Sequence, residues 1–237
     1  YDLPTRIFHW LFAGLFAFAF IVTKTIDDDS PVFAYHMLAG LMLGYTVLWR
    51  VLWGFVGSKH ARFSHFALNP LSLLHYVKGI LTGSKKRWAG HNPASSWAAI
   101  TMMALAMGLG ITGYLMASGQ KESLGDIHEL LANAFLVVAI LHVAGVALHT
   151  LRHRDWISLS MFTGQKSEIE QAEAIPSSRP FSALTFLGLL LAFAFYLNQN
   201  YDPATGNLKL FGSTLQLSET EEGEGGEGGE GGEEEDD

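Results

Sequence analysis

Ten histidines and no cysteine occur among the 237 residues, so any metal or proton chemistry falls to imidazole and carboxylate. Two of the histidines, His128 and His142, lie fourteen residues apart in one apolar stretch, Asp126 to Trp156. On a helix that spacing is roughly 21 Å along the axis and about 40° short of whole turns. Both imidazoles therefore sit near one face, at either side of an apolar segment about as thick as a bilayer core. Two stacked ligands on one membrane helix suggest two cofactors stacked across the membrane, each completed by another helix. The lack of cysteine excludes disulfides, a Cys-x-x-Cys-His site for c-type haem, Cys-ligated iron–sulfur clusters and thiolate zinc sites.

The elements that must position these residues are membrane helices. Hydrophobic residues make up 49% of the chain and charged ones only 16%, against about 25% charged in soluble domains. Apolar runs long enough to span a bilayer recur five times. The expected helices are 1 from Pro4 to Thr23, 2 from Phe33 to Val56, 3 from Pro93 to Ala117, 4 from Asp126 to Leu151, and a shorter fifth run from Phe181 to Leu197. The first run lacks a small-residue cleavage site and reads as a retained helix rather than a signal peptide. Residues 50–90 carry seven lysines and arginines and no acid, which places that loop in the cytoplasm. Helix 1 then runs outward and helix 2 back, and the acidic loop at 27–29 lies outside. Inside the basic loop, Leu71, Leu74, Val77 and Leu81 recur at helical spacing and predict a short helix on the membrane surface. The organisation expected is a four-helix domain over 1–165, a linker over 166–180, a fifth span over 181–197 and an extracytoplasmic segment over 198–237. The formal charge of −8 comes from the last stretch: residues 219–237 hold 11 acids and no base, and the remainder is net +3. That Glu/Gly repeat cannot bury a core and is expected to be disordered.

With these directions the histidines match by depth. His9 near the start of helix 1 meets His142 at the inner level, and His36 near the start of helix 2 meets His128 at the outer level. Facing imidazoles from separate helices are how b-type haem is held in a bundle. A single histidine at a helix start needs no ligand; four at two matched levels are hard to explain without one, because polar groups at membrane depth are costly. His149 is a poor alternative. Paired with His142 it would stack the sites only about 10 Å apart, and paired with His128 about 31 Å apart, leaving no hydrocarbon beyond either. His60, His65, His75 and His91 fall in the basic loop, where His91 is a candidate for a quinone or proton path. Arg6 and Arg50 are placed to meet haem propionates, although positive-inside anchoring also accounts for both. Trp49, Trp53 and Trp88 are expected to form an interfacial belt. Gly40 and Gly44, four and eight residues after His36, let a helix or a flat ligand approach.

These stretches carry a family resemblance. DLPTRIFHW at 2–10, HMLAGLMLGYTVLWRVLWGFVGS at 36–58, GHNPA at 90–94, HELLANAFLVVAILHVAGV at 128–146 and HTLRHRDWISLSMFTG at 149–164 together resemble the bacterial cytochrome b561 and nickel–iron hydrogenase b-type cytochrome family. The resemblance covers about 1–165 and leaves the fifth helix and acidic tail unexplained. It implies a four-helix di-haem membrane protein that exchanges electrons with quinone, with ligands at His9, His36, His128 and His142.

The expectation is therefore an all-α membrane protein: a four-helix transmembrane bundle holding two bis-histidine haem b groups, plus a fifth transmembrane helix. It would lie in the bacterial inner membrane with a cytoplasmic N-terminus. It would pass electrons between the quinone pool and a redox partner, a periplasmic c-type cytochrome or a hydrogenase or dehydrogenase subunit. Lipid and quinone are the expected small partners, and nucleic acid is not one. The alternatives are the membrane-anchor cytochrome b of a hydrogenase or dehydrogenase complex and, from another class, a histidine-bearing transporter.

Overall fold

The computed structural model describes residues 1–84, 86, 88–166 and 174–218. Helix α1 (Leu3–Thr25) begins where its sequence signals begin. Asp2 accepts from the Thr5 amide at 2.9 Å, and Pro4 occupies the first turn, where no amide hydrogen is needed. Asp2 is fully buried, and its second carboxylate oxygen accepts from Trp53 Nε1 at 3.1 Å. The cap thus ties the start of α1 to the end of α2 (Ala34–Val56). The same logic opens α3 (Pro70–Leu81), capped by Asn69, and α4 (Pro93–Leu115), where Asn92 accepts from the Ser95 amide at 2.8 Å.

Helices α4 and α5 (Lys121–His153) form a hairpin. The outer loop expected over 118–125 is shorter than its sequence suggests. The chain reverses within Met116–Gln120, and Gly119 takes φ 102°, a left-handed value that favours glycine. Because the turn closes so early, α5 starts five residues before Asp126 and runs 33 residues. Four helical stretches are long and apolar enough to cross a membrane: Leu3–Thr25, Pro31–Val56, Pro93–His153 and Pro180–Asn200. The third is the α4–α5 hairpin, whose two arms, Pro93–Leu115 and Lys121–His153, are each long enough to cross.

After α5, a short α6 (Ser160–Thr163) lies against the start of α1, where Arg6 Nη1 donates to the Phe162 carbonyl at 2.9 Å and Trp10 Nε1 to that of Met161 at 3.1 Å. Helix α7 (Pro180–Asn200) has 21 residues, about 31 Å, three more at its C-terminal end and one more at its start than the apolar run itself. It belongs to the bundle core. Phe186 is fully buried and stacks on Trp49 with centroids 5.0 Å apart, and Phe193 stacks on Tyr45 at 4.6 Å. Trp53 likewise departs from the expected interfacial belt: it is buried, stacked on Trp49 and bonded to Asp2.

The core runs through Phe8 and Phe12 of α1, Leu43 and Val47 of α2, Met103, Ala106 and Leu109 of α4, Phe135 of α5 and Phe186 of α7. Large apolar residues also cover the outside, among them Phe18, Leu48, Leu52, Ile140 and Phe195. That is the surface a hydrocarbon solvent requires. The stretch expected as an irregular outer segment begins with a small meander, β1 (Tyr201–Asp202), β2 (Asn207–Leu210) and β3 (Ser213–Gln216), paired antiparallel in that order. Leu208, Leu210, Leu215 and Leu217 pack on Ala34, Ala117 and Leu197, so the meander caps the end of the bundle at which α2 starts. The acidic tail, 219–237, and linker residues 167–173 lie outside the described residues.

Candidate haem-binding sites

The end of the bundle holding the start of α1 is called inner here, and the end holding the start of α2 outer. At the outer end, His36 of α2 and His128 of α5 face each other with ring centroids 6.2 Å apart and planes at 76°. Each ring is held by its Nδ1. His36 Nδ1 lies 3.0 Å from the Ala19 carbonyl of α1. A carbonyl only accepts, so Nδ1 carries the proton and Nε2 keeps a free lone pair. His128 Nδ1 lies 2.8 Å from Thr112 Oγ1 of α4, and the Thr112 hydroxyl donates its one hydrogen to the Gly108 carbonyl at 2.8 Å. Thr112 must then accept from His128, which again leaves Nε2 unprotonated. Both imidazoles are thus fixed in the tautomer that ligates metal through Nε2.

The spacing suits an axial pair. With metal–imidazole bonds of about 2.0 Å on either side, ring centroids fall somewhat over 6 Å apart, close to the distance seen. Among the described residues no three His, Cys, Asp or Glu converge as a metal cluster. The two imidazoles of the outer pair could hold a haem iron between them.

At the inner end, His9 of α1 has an Nδ1 that is buried with no hydrogen-bond partner. The ionisable group that acts on His9 electrostatically is His142. The His9 ring is therefore not held by its Nδ1 as the rings of the outer pair are. Between the two levels stands Phe135, seven residues from both His128 and His142 and 2% exposed. Its ring stacks on Phe16 at 3.8 Å and meets Phe12 at 5.4 Å. Helix α5 packs closely along α4 and meets α1 through these rings. Gly14, Gly40, Gly44 and Gly145 each have room where a Cβ would stand, with nothing within 4 Å.

Arg6 and Arg50 both lie at the inner end. Arg50 is 3% exposed, packs among the rings of Phe8, Phe63 and Phe66, and donates through Nη2 to the Ala61 carbonyl at 2.9 Å. Its Nη1 is buried without a partner, as is Arg6 Nε. Each has a spare donor for a carboxylate, alongside a structural bond already made. His149 is engaged elsewhere: it lies 3.4 Å from Asp155 and stacks on His153. His91 sits just outside α4 between Tyr1 and Phe66, and burial pushes its pKa down to about 3. Thr112 and Phe135 are the contributors not singled out from sequence. The one available signal was position, since Thr112 and His128 lie equally far from Gln120 and so face across the hairpin at one depth.

A family model of prokaryotic cytochrome b561 matches residues 1–164. The chain is 24% identical over 212 residues to a probable Ni/Fe-hydrogenase B-type cytochrome subunit of Rhodobacter capsulatus, covering 70% of this chain and 80% of that one. It is 30% identical over 150 residues to a protein of the same description from Azotobacter chroococcum mcd 1, covering 53% and 60%. No solved structure matches. The matched span ends before α7 and the meander. With a family match over more than half its length on a helical bundle with membrane-spanning helices, the chain belongs to the prokaryotic cytochrome b561 family and is a membrane cytochrome b of electron transfer.

Proposed function

We propose that the chain carries two haem b groups, one between His36 and His128 near the outer face and one between His9 and His142 near the inner face. The observation that carries this reading is the outer pair, two imidazoles locked in the metal-binding tautomer with centroids 6.2 Å apart. Haem iron supplies one-electron redox chemistry, and the chain supplies axial donors, spacing and a low dielectric. With imidazole on both sides, no coordination position is left for oxygen or substrate. Arg6 and Arg50 direct their spare donors to propionates of the inner group. The basic loop 50–90 sets the inner end in the cytoplasm of a bacterial inner membrane, and α7 then delivers the C-terminus to the periplasmic side.

In this reading the protein passes electrons between the quinone pool and a redox partner. The names of the relatives favour a hydrogenase as that partner, which makes the chain the membrane cytochrome of such a complex. A periplasmic c-type cytochrome is the second choice, favoured by the acidic tail. An optical redox titration of the purified protein tests the reading. Two b-type components, both reduced by a quinol analogue, are expected. Protein without b-type absorption would return the histidines to a transport role, and haems inert to quinol would remove the quinone step.

A further inference from the structure

The four histidines are not held alike. His36 is oriented by a backbone carbonyl, whereas His128 is oriented by the side chain of Thr112. Thr112 is 8% exposed on α4, and its hydroxyl already donates to the Gly108 carbonyl, with the Leu109 carbonyl at 3.2 Å. Such back-bonding satisfies a helix threonine by itself. The approach of His128 Nδ1 to 2.8 Å is therefore additional, and it points the oxygen lone pair of Thr112 at the ring. The Gly119 turn sets the register that brings the two residues level.

We infer that Thr112 is a positioning residue for the outer haem. By accepting the Nδ1 proton of His128 it fixes the ligating tautomer, sets the ring plane and raises the electron density at Nε2. The inference rests on His128 being a ligand. A more basic imidazole stabilises ferric over ferrous iron. Thr112 thereby holds the outer haem at a lower potential than an unsupported histidine would, through a group that one substitution removes.

The test uses the purified full chain. His128→Ala identifies the outer component as the one it loses. Thr112→Val keeps the shape of the side chain and removes the acceptor. The expected result is a shift of about tenfold toward ferrous in the outer component alone, which for a one-electron couple is about 59 mV upward. The ferric low-spin resonance spectrum of that component should change with it. Thr112→Ser should restore both. Loss of the outer haem in Thr112→Val but not in Thr112→Ser would carry the same conclusion. Wild-type potentials and spectra in Thr112→Val would overturn the inference, as would Thr112→Ser behaving like Thr112→Val, since packing alone would then be at work. Retention of both haems by His128→Ala would instead overturn the ligand reading beneath it.

Discussion

In the proposed haem sites a histidine is prepared as a ligand by what holds its other nitrogen. His36 and His128 have that nitrogen bound by Ala19 and Thr112, and His9 does not. The closeness of His36 to His128 was legible from spacing and loop charge alone. The orienting groups were not, because a backbone carbonyl has no sequence signature and a threonine inside an apolar helix reads as filler. Arg50 shows a similar limit. Its charge was visible, but the Phe63 and Phe66 rings and the Ala61 carbonyl around it come from a loop whose path the sequence does not disclose. Arg50→Ala should cost about 2 kcal/mol from the lost ring contacts and hydrogen bond, read as a lower thermal midpoint in detergent. His91 adds a pH dependence. Its pKa is depressed to about 3 in the folded chain, so the unfolded chain binds the extra proton below the ordinary value of about 6.5. Stability contributed here is complete above that pH and declines as pH falls toward 3, by at most about 1.4 kcal/mol per unit. His91→Gln should flatten that decline in a thermal-midpoint series from pH 7 to 5.

At the scale of elements, caps and apolar runs were plain in the sequence, and α3 falls over the stretch its leucine spacing predicts. Leu71, Leu74, Val77 and Leu81 are all exposed, as a helix lying on a membrane surface requires. The α4–α5 turn was read as a longer loop over 118–125, and the meander was not read. The turn is closed by Gly119, one of several glycines in a row of candidates. The meander has strands of two to four residues, and its β2–β3 turn places Phe211 as well as Gly212 at positive φ, where the usual signal is Asn-Gly. Phe211 is held there by its stack on Tyr196 and by its amide donating to the Tyr196 hydroxyl at 2.9 Å. Phe135 gives the element-scale prediction. As the contact that joins α5 to α1 between the two levels, Phe135→Ala should cost about 3–5 kcal/mol. Thermal unfolding in detergent should show it, with both haems still bound below the transition. An unchanged midpoint would mean that α5 is held by α4 alone.

For the molecule as a whole, in the proposed topology the chain crosses five times, its two ends belong to opposite faces, and the acidic segment Glu219–Asp237 belongs to the compartment of the outer site. A run of carboxylates there raises the encounter rate of a cationic partner, an effect that salt screens. Deleting Glu219–Asp237 should slow electron exchange with a basic soluble cytochrome at low salt and make little difference at high salt; equal rates at low salt would end the docking role. The central claim, two haems at two levels each between two imidazoles, is tested most directly by counting. Haem b per chain should be two in the purified wild type, both low-spin, and one in each of His36→Ala and His142→Ala, with a different component of the redox titration lost in each. A wild type with one haem, or a His142→Ala protein that keeps two, would contradict it.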